Sequence, residues 1–287
     1  FAPNYDQFVS WGTEFLDSVN NILEISQCPN FTIDYVKNSS ADLSVLRDLD
    51  KYGLVVIHTH GGLDQNDNVV FISGDEYDSD DENLLDWKAG RIFPSSLQGK
   101  SVWGVKPSFI DEYNEAYPNS IIYNGSCESG HNRTMANAFL NNGASTYYGF
   151  SETVKSVFDR DMAYQLFPKL ISLGESTGES FVEDQHDTND PPAYFVMFGE
   201  TDTYFSADFM NGGFEEGNLT GWLKDGDGRV ITQLGFISPY SGNFMGIIST
   251  GLGYTVETGS ISQSVCIPDG ASNLSIYWNF VSEEFIE

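Results

Sequence analysis

The chain is poor in cysteine, in positive charge and in long apolar runs, and each shortage excludes a class of protein. Three cysteines, Cys28, Cys127 and Cys266, are too few for a disulfide-built scaffold and leave at least one thiol unpaired. Only 13 Lys and Arg stand against 42 Asp and Glu, a formal net charge of -29, so the surface repels nucleic-acid phosphates and anionic membranes. No nucleic-acid partner is expected. No apolar stretch approaches the roughly 20 residues that cross a bilayer, so no membrane insertion is expected either. A hydrophobic share of 40%, with 14% aromatic, is nevertheless ample for the core of one large domain or two ordinary ones.

The surplus of carboxylates suits a cationic substrate, bound calcium or a saline habitat. One acidic loop is dense enough to hold an ion: Asp75, Asp78, Asp80 and Glu82 repel one another unless solvated or bridged by a cation. Six Asn-x-Ser/Thr sequons begin at Asn30, Asn38, Asn124, Asn132, Asn218 and Asn273, which fits a secreted or cell-surface protein.

Hydrophobic period divides the chain in two. Phe8, Trp11, Phe15, Val19, Ile22 and Leu23 recur at helical spacing and predict one amphipathic helix over 5–26. Short strand-like runs follow at 54–57, 68–73, 102–105, 120–125 and 144–150, with helical patterns at 107–113, 135–140 and 154–173 and one more strand or link at 194–198. Strand and helix in turn predict an α/β domain over 1–207 with a mostly parallel sheet flanked by helices. Because the chain enters on a helix, the first strand of that sheet is expected before Phe1. From about residue 209 helical periodicity gives way to Gly, Ser, Thr and aromatics in short alternating runs, which predicts an incomplete antiparallel β-sandwich over 208–287.

Two of the strand-like runs end in reactive side chains. Leu54-Val55-Val56-Ile57 leads into His58-Thr59-His60-Gly61-Gly62, and Ile121-Ile122-Tyr123 leads into Asn124-Gly125-Ser126-Cys127. Open α/β sheets carry their chemistry just beyond the carboxyl ends of their strands. A thiol delivered there needs a base and donors for an oxyanion. His60 supplies the base, Cys127 the nucleophile, and the N–H groups of Gly61 and Cys127 the donors. His58 shares a face with His60; the glycines after His60 favour it as the base and leave His58 as a packed histidine. Two other readings use the same residues. His58 and His60 with Asp64 form a His-x-His pattern suited to a metal-dependent hydrolase, and an inactive α/β domain would suit a surface adhesin.

A strand ending in His-Gly, followed 67 positions later by a strand ending in small residue-Cys, resembles the caspase-like clan of cysteine peptidases, nearest to its clostripain, gingipain and CHAT-type members. Ser126-Cys127-Glu128-Ser129-Gly130 is close to the CHAT phrase Ala-Cys-Glu-Thr-Gly. The resemblance implies a peptide or protein substrate, a His60-Cys127 dyad with Gly61 as the oxyanion glycine, and no cofactor for catalysis. If Arg or Lys is preferred at the cleavage site, as in clostripain-like members, a carboxylate must meet it; Glu152 and Asp159 are the candidates. The phrase from Asn211 to Trp222 resembles the opening strand of jelly-roll domains, which implies a structural calcium ion near Glu216.

Overall fold

The computed structural model describes residues 1–26, 30–77, 83–97, 99–205, 211–249, 259–263 and 274–281. Its contacts divide the chain into two units, Phe1–Phe205 and Ser206–Glu287.

The first unit opens with α1 (Tyr5–Trp11), α2 (Leu16–Ile25) and the short α3 (Leu43–Leu46), capped by the Asp42 side chain. Then come β1 (Leu54–His58), β2 (Gly61–Leu63), β3 (Val69–Glu76), α4 (Leu84–Lys88), β4 (Ile92–Leu97), β5 (Lys100–Val105), α5 (Pro107–Tyr113) and β6 (Ile121–Gly125). The unit closes with α6 (Thr134–Leu140), β7 (Thr146–Phe150), α7 (Ser156–Phe167), α8 (Thr177–Ser180) and β8 (Phe195–Gly199).

The central sheet has the order β1-β6-β7-β8, parallel except for β8, which runs against β7. The inner strands β6 and β7 are buried along their whole length, while the outer β1 and β8 are half-buried at several positions. One face packs Val55, Ile57, Ile122 and Tyr147 against Phe109 and Ile110 of α5 and Met135 and Phe139 of α6. The other packs Ile121, Tyr123, Tyr148 and Phe150 against Phe15, Leu16 and Val19 from the α2 region and Met162, Ala163 and Leu166 of α7. A mixed sheet flanked by helices is therefore the architecture of this unit.

Three local departures from the sequence reading matter. The helix expected over 5–26 is two helices, because Gly12 leaves α1 in the left-handed region at φ 68° and ends it there. The side of β1 away from β6 is partly taken by Phe1, whose nitrogen donates to Val56 O (2.9 Å) and whose carbonyl accepts from His58 N (3.0 Å), a contact the sequence reading did not foresee. Between β1 and β6 lies an antiparallel sheet of order β2-β3-β5-β4. Gly61-Gly62-Leu63 and the Pro94-bearing β4 carry no alternating pattern that would announce it.

The second unit contains β9 (Leu223–Ile231) between β10 (Met245–Ser249) and β11 (Gly259–Ser262), all antiparallel. Glu215 joins its turns by accepting from the backbone N–H groups of Asn243 and Phe244.

Candidate active site

The paired register of β1 and β6 ends with His58 opposite Gly125. Two positions further along each strand stand His60 and Cys127, and neighbouring strands run about 4.8 Å apart. The exits stay side by side beyond the ladder. A Cβ on Gly61 would come within 2.6 Å of Ser126 Oγ, and one on Gly62 within 3.5 Å of Glu128 Oε2. Val56 and His58 of β1 share a face with Tyr123 and Gly125 of β6, and His60 and Cys127 lie in the bends that follow. Both residues are part-exposed, so neither is sealed in the core.

The turn carrying Cys127 is held from behind. Buried Asn124 accepts from Ser126 Oγ (2.7 Å) and donates to Tyr147 Oη (2.9 Å), while Ser129 Oγ donates to Asn124 O (2.8 Å) and accepts from Phe150 N (2.9 Å). Glu128, with φ 60°, reverses the chain, and its N–H donates to Glu152 O at 3.0 Å. Such burial also means that the sequon at Asn124 cannot carry a glycan in the folded chain, since Asn124 is 0% exposed.

His60 is fixed by α1. Its Nε2 lies 3.0 Å from Gln7 Oε1, and its ring stacks near Phe8 with Trp11 edge-on. With the Gln7 amide so oriented, Nε2 carries the proton and Nδ1 presents the lone pair. Burial, then the neighbouring His58, lowers the His60 pKa below its ordinary 6.5. Burial raises the Cys127 thiol above its ordinary 9.0, against a weak contact of Sγ with Val154 O at 3.7 Å. The resting pair is thus a neutral thiol and a neutral imidazole.

Two backbone N–H groups at the strand exits have no sheet partner among the described residues. Ile72 N donates to His60 O (2.9 Å), which makes the next pair, Gly61 with Phe71, a non-hydrogen-bonded one. The Gly61 N–H is therefore directed away from β3. Among the described residues no carbonyl accepts from the Cys127 N–H.

The other residues singled out from the sequence are placed variously. Glu152 is half-buried, with its carboxylate 3.7 Å from His131 Nδ1, on the segment that pairs with the Cys127 turn. Asp159 is 1% exposed, and its carboxylate is taken up by Tyr123 Oη (2.6 Å) and His58 Nε2 (3.4 Å); it offers no surface to a substrate cation. Asp64 accepts from Asn66 N and Asn68 N and pairs with Lys106 at 3.2 Å, closing the β2–β3 turn. Asp75 accepts from Leu43 N at the start of α3. Asp78, Asp80 and Glu82 lie outside the described residues, as do Cys28 and Cys266. Glu216 is exposed. Among the described residues no three His, Cys, Asp or Glu side chains converge where a metal ion could sit.

Sequence reasoning missed Gln7 and Glu14. Each is a lone polar residue whose role depends on a distant strand end, so no local pattern marks it. A cavity of about 670 Å³, lined by Leu16, Val19, Phe31, Ile33 and Val56 among others, includes neither His60 nor Cys127; it follows the open edge of β1 rather than the strand ends. Comparison of the chain with known protein families, with curated proteins and with solved structures found no match.

Proposed function

We propose that this protein is a cysteine endopeptidase of the caspase-like kind. His60 takes the proton from Cys127 as the thiol attacks a peptide carbonyl, and the Gly61 and Cys127 N–H groups receive the oxyanion. His60 then gives that proton to the leaving amine as the C–N bond breaks and the thioester forms, and next acts as base for the water that hydrolyses the thioester and frees the thiol. One observation carries this reading: His60 and Cys127 each stand two positions beyond the last paired residues of adjacent parallel strands, whose exits are so close that a Cβ on Gly61 would come within 2.6 Å of Ser126 Oγ.

On this reading the first unit is a caspase-like domain and the second part of a jelly roll, exported from the cell, with calcium bound at its acidic loops for structure alone. Glu152, beside the nucleophile turn, is the carboxylate that meets a basic residue of the substrate. Cys127→Ala should abolish hydrolysis of a mixed peptide library, and His60→Ala should lower kcat/KM by about 10²–10⁴-fold. A thiol-directed acyl-mimic inhibitor should label Cys127. Hydrolysis that survives Cys127→Ala and stops with a chelator would replace this reading with a metallohydrolase; no hydrolysis and no labelling would leave a binding protein.

A further inference from the structure

The groups around the two strand-end histidines differ in whether a substrate can reach them. His58 is completely buried, its ring 3.5 Å from Glu14 Oε2 and 3.4 Å from Asp159 Oδ2, with Phe8 and Phe15 packed against it at 3.9 and 4.3 Å. The reacting space therefore lies at His60, and Trp11 is the open neighbour there. Its ring meets the His60 ring edge-on at 6.0 Å, yet the residue is 51% exposed. Trp87, Tyr164, Tyr194 and Tyr204 are the other exposed aromatic residues described in the first unit, and none of them has a ring contact with His60 among the described residues.

The local sequence puts the indole in this place. Gln7 and Phe8 stand four and three residues before Trp11 in α1, so all three share one side of the helix. Phe8 is only 4% exposed and anchors that side. Gln7 meets His60 Nε2 at 3.0 Å, and Trp11, at the end of the helix, packs edge-on against Phe8 at 5.6 Å. Gly12 then ends the helix at φ 68°, and its carbonyl accepts from Arg160 Nη1 of α7 at 3.1 Å. The end of α1 is thus tied down while half of the Trp11 surface stays in water. An indole left in that state forgoes apolar burial, and an apolar group seated on it recovers that burial.

The chemistry of the step fixes which part of a substrate lies there. His60 receives the thiol proton and delivers it to the leaving amine, so it must reach the amine nitrogen. The residue carrying that amine therefore lies on the His60 side of the scissile bond, and the acyl part on the Cys127 side. We propose that Trp11 is the specificity-determining wall for the residue that carries the leaving amine, and that this residue is a bulky apolar one: Leu, Ile, Met, Phe or Tyr. This rests on the reading of His60 and Cys127 as the dyad and adds the substrate class to it, proteins in which an accessible segment offers a large apolar residue directly after the cleaved bond. An acidic residue at that position is disfavoured twice, by the uncovered indole and by the net charge of -29.

Digestion of a mixed peptide library by the intact protein, with the new amino termini identified by mass spectrometry, should show these five residues enriched at the first position of the products. In matched peptides that differ only there, kcat/KM for Leu or Phe should exceed that for Gly by roughly tenfold or more, the scale on which apolar subsites discriminate. In Trp11→Ala that ratio should fall to near one. Because Trp11 also touches His60, its loss can lower turnover on every peptide; a displaced ring alone leaves the ratio between peptides unchanged. Trp11→Gln, with better helix propensity than the native residue, should give the same fall and serves if the alanine variant does not fold, whereas Trp11→Phe should keep most of the preference. A wild type without the preference, or an alanine or glutamine variant that is folded by circular dichroism and keeps it, would overturn the proposal. Failure of the peptidase reading shows differently, as hydrolysis that is absent from the wild type or survives Cys127→Ala.

Discussion

At Cys127 the competing influences are unequal. Burial, the largest, and the carboxylates of Asp159, Glu128 and Asp187 hold the thiol above 9.0, and only Val154 O opposes them. At His60, burial and His58 act in the other direction, below 6.5. Between these limits the thiol keeps its proton and the imidazole has none, so on the proposed reading the thiolate would form only as it attacks. Alkylation of Cys127 by iodoacetamide, read by peptide mapping, should accordingly rise with a midpoint above pH 9. A plateau of fast reaction between about pH 5 and 8, the mark of a thiolate–imidazolium pair, would contradict this. The acid limb of kcat/KM follows from the same shift: a base with a lowered pKa stays unprotonated further into acid, so activity should fall only below pH 6.5.

At the scale of the strand, the site depends on how closely two chain exits approach. Gly61 has room for hydrogen alone, since a Cβ would lie 2.6 Å from Ser126 Oγ, 2.8 Å from Ser126 Cβ and 2.9 Å from Val70 O. Gly61→Ala must therefore push the exit of β1 away from that of β6. The overpacking should cost about 1–3 kcal/mol in urea unfolding, and a displacement near 1 Å at the dyad should lower kcat/KM by roughly 10²-fold. A variant with wild-type stability and turnover would show that the exits are not in the contact described. The runs at 54–57 and 120–125 could be read as strands because a strand covered on both faces needs little but β-branched and aromatic residues, and Leu54-Val55-Val56-Ile57 and Ile121-Ile122-Tyr123 contain little else. Gly61-Gly62-Leu63 was illegible for the opposite reason: its pairing with Val69-Val70-Phe71 is imposed by the neighbouring strand rather than by its own side chains. The break at Gly12 was missed because the apolar spacing from Phe8 to Phe15 survives it. Asp159 looked like a pocket carboxylate in sequence, and only the position of Gly125 across from His58 reveals that it points inward.

Over the whole molecule, charge is the dominant imbalance. With 42 acidic and 13 basic residues, several of the cations are held in structural pairs: Arg47 and Arg91 both meet Asp86, Lys106 meets Asp64 and Lys37 meets Asp17. Carboxylates outnumber cations by 29 (42 minus 13), and the repulsion of this excess opposes the compact state. Screening shortens the reach of that repulsion from about 30 Å at 0.01 M salt to about 3 Å at 1 M. The melting temperature should therefore climb steadily as NaCl is raised over this range, and one that is flat or falling would mean that local pairs, not net charge, govern stability. Calcium chloride at matched ionic strength separates two causes. Diffuse screening predicts little beyond the added valence of the ion and no saturation, whereas a bound ion stabilises by mass action and saturates at a defined concentration. Saturating stabilisation at micromolar to millimolar calcium would support the structural ion expected at the acidic loops, and curves that follow ionic strength alone would remove it.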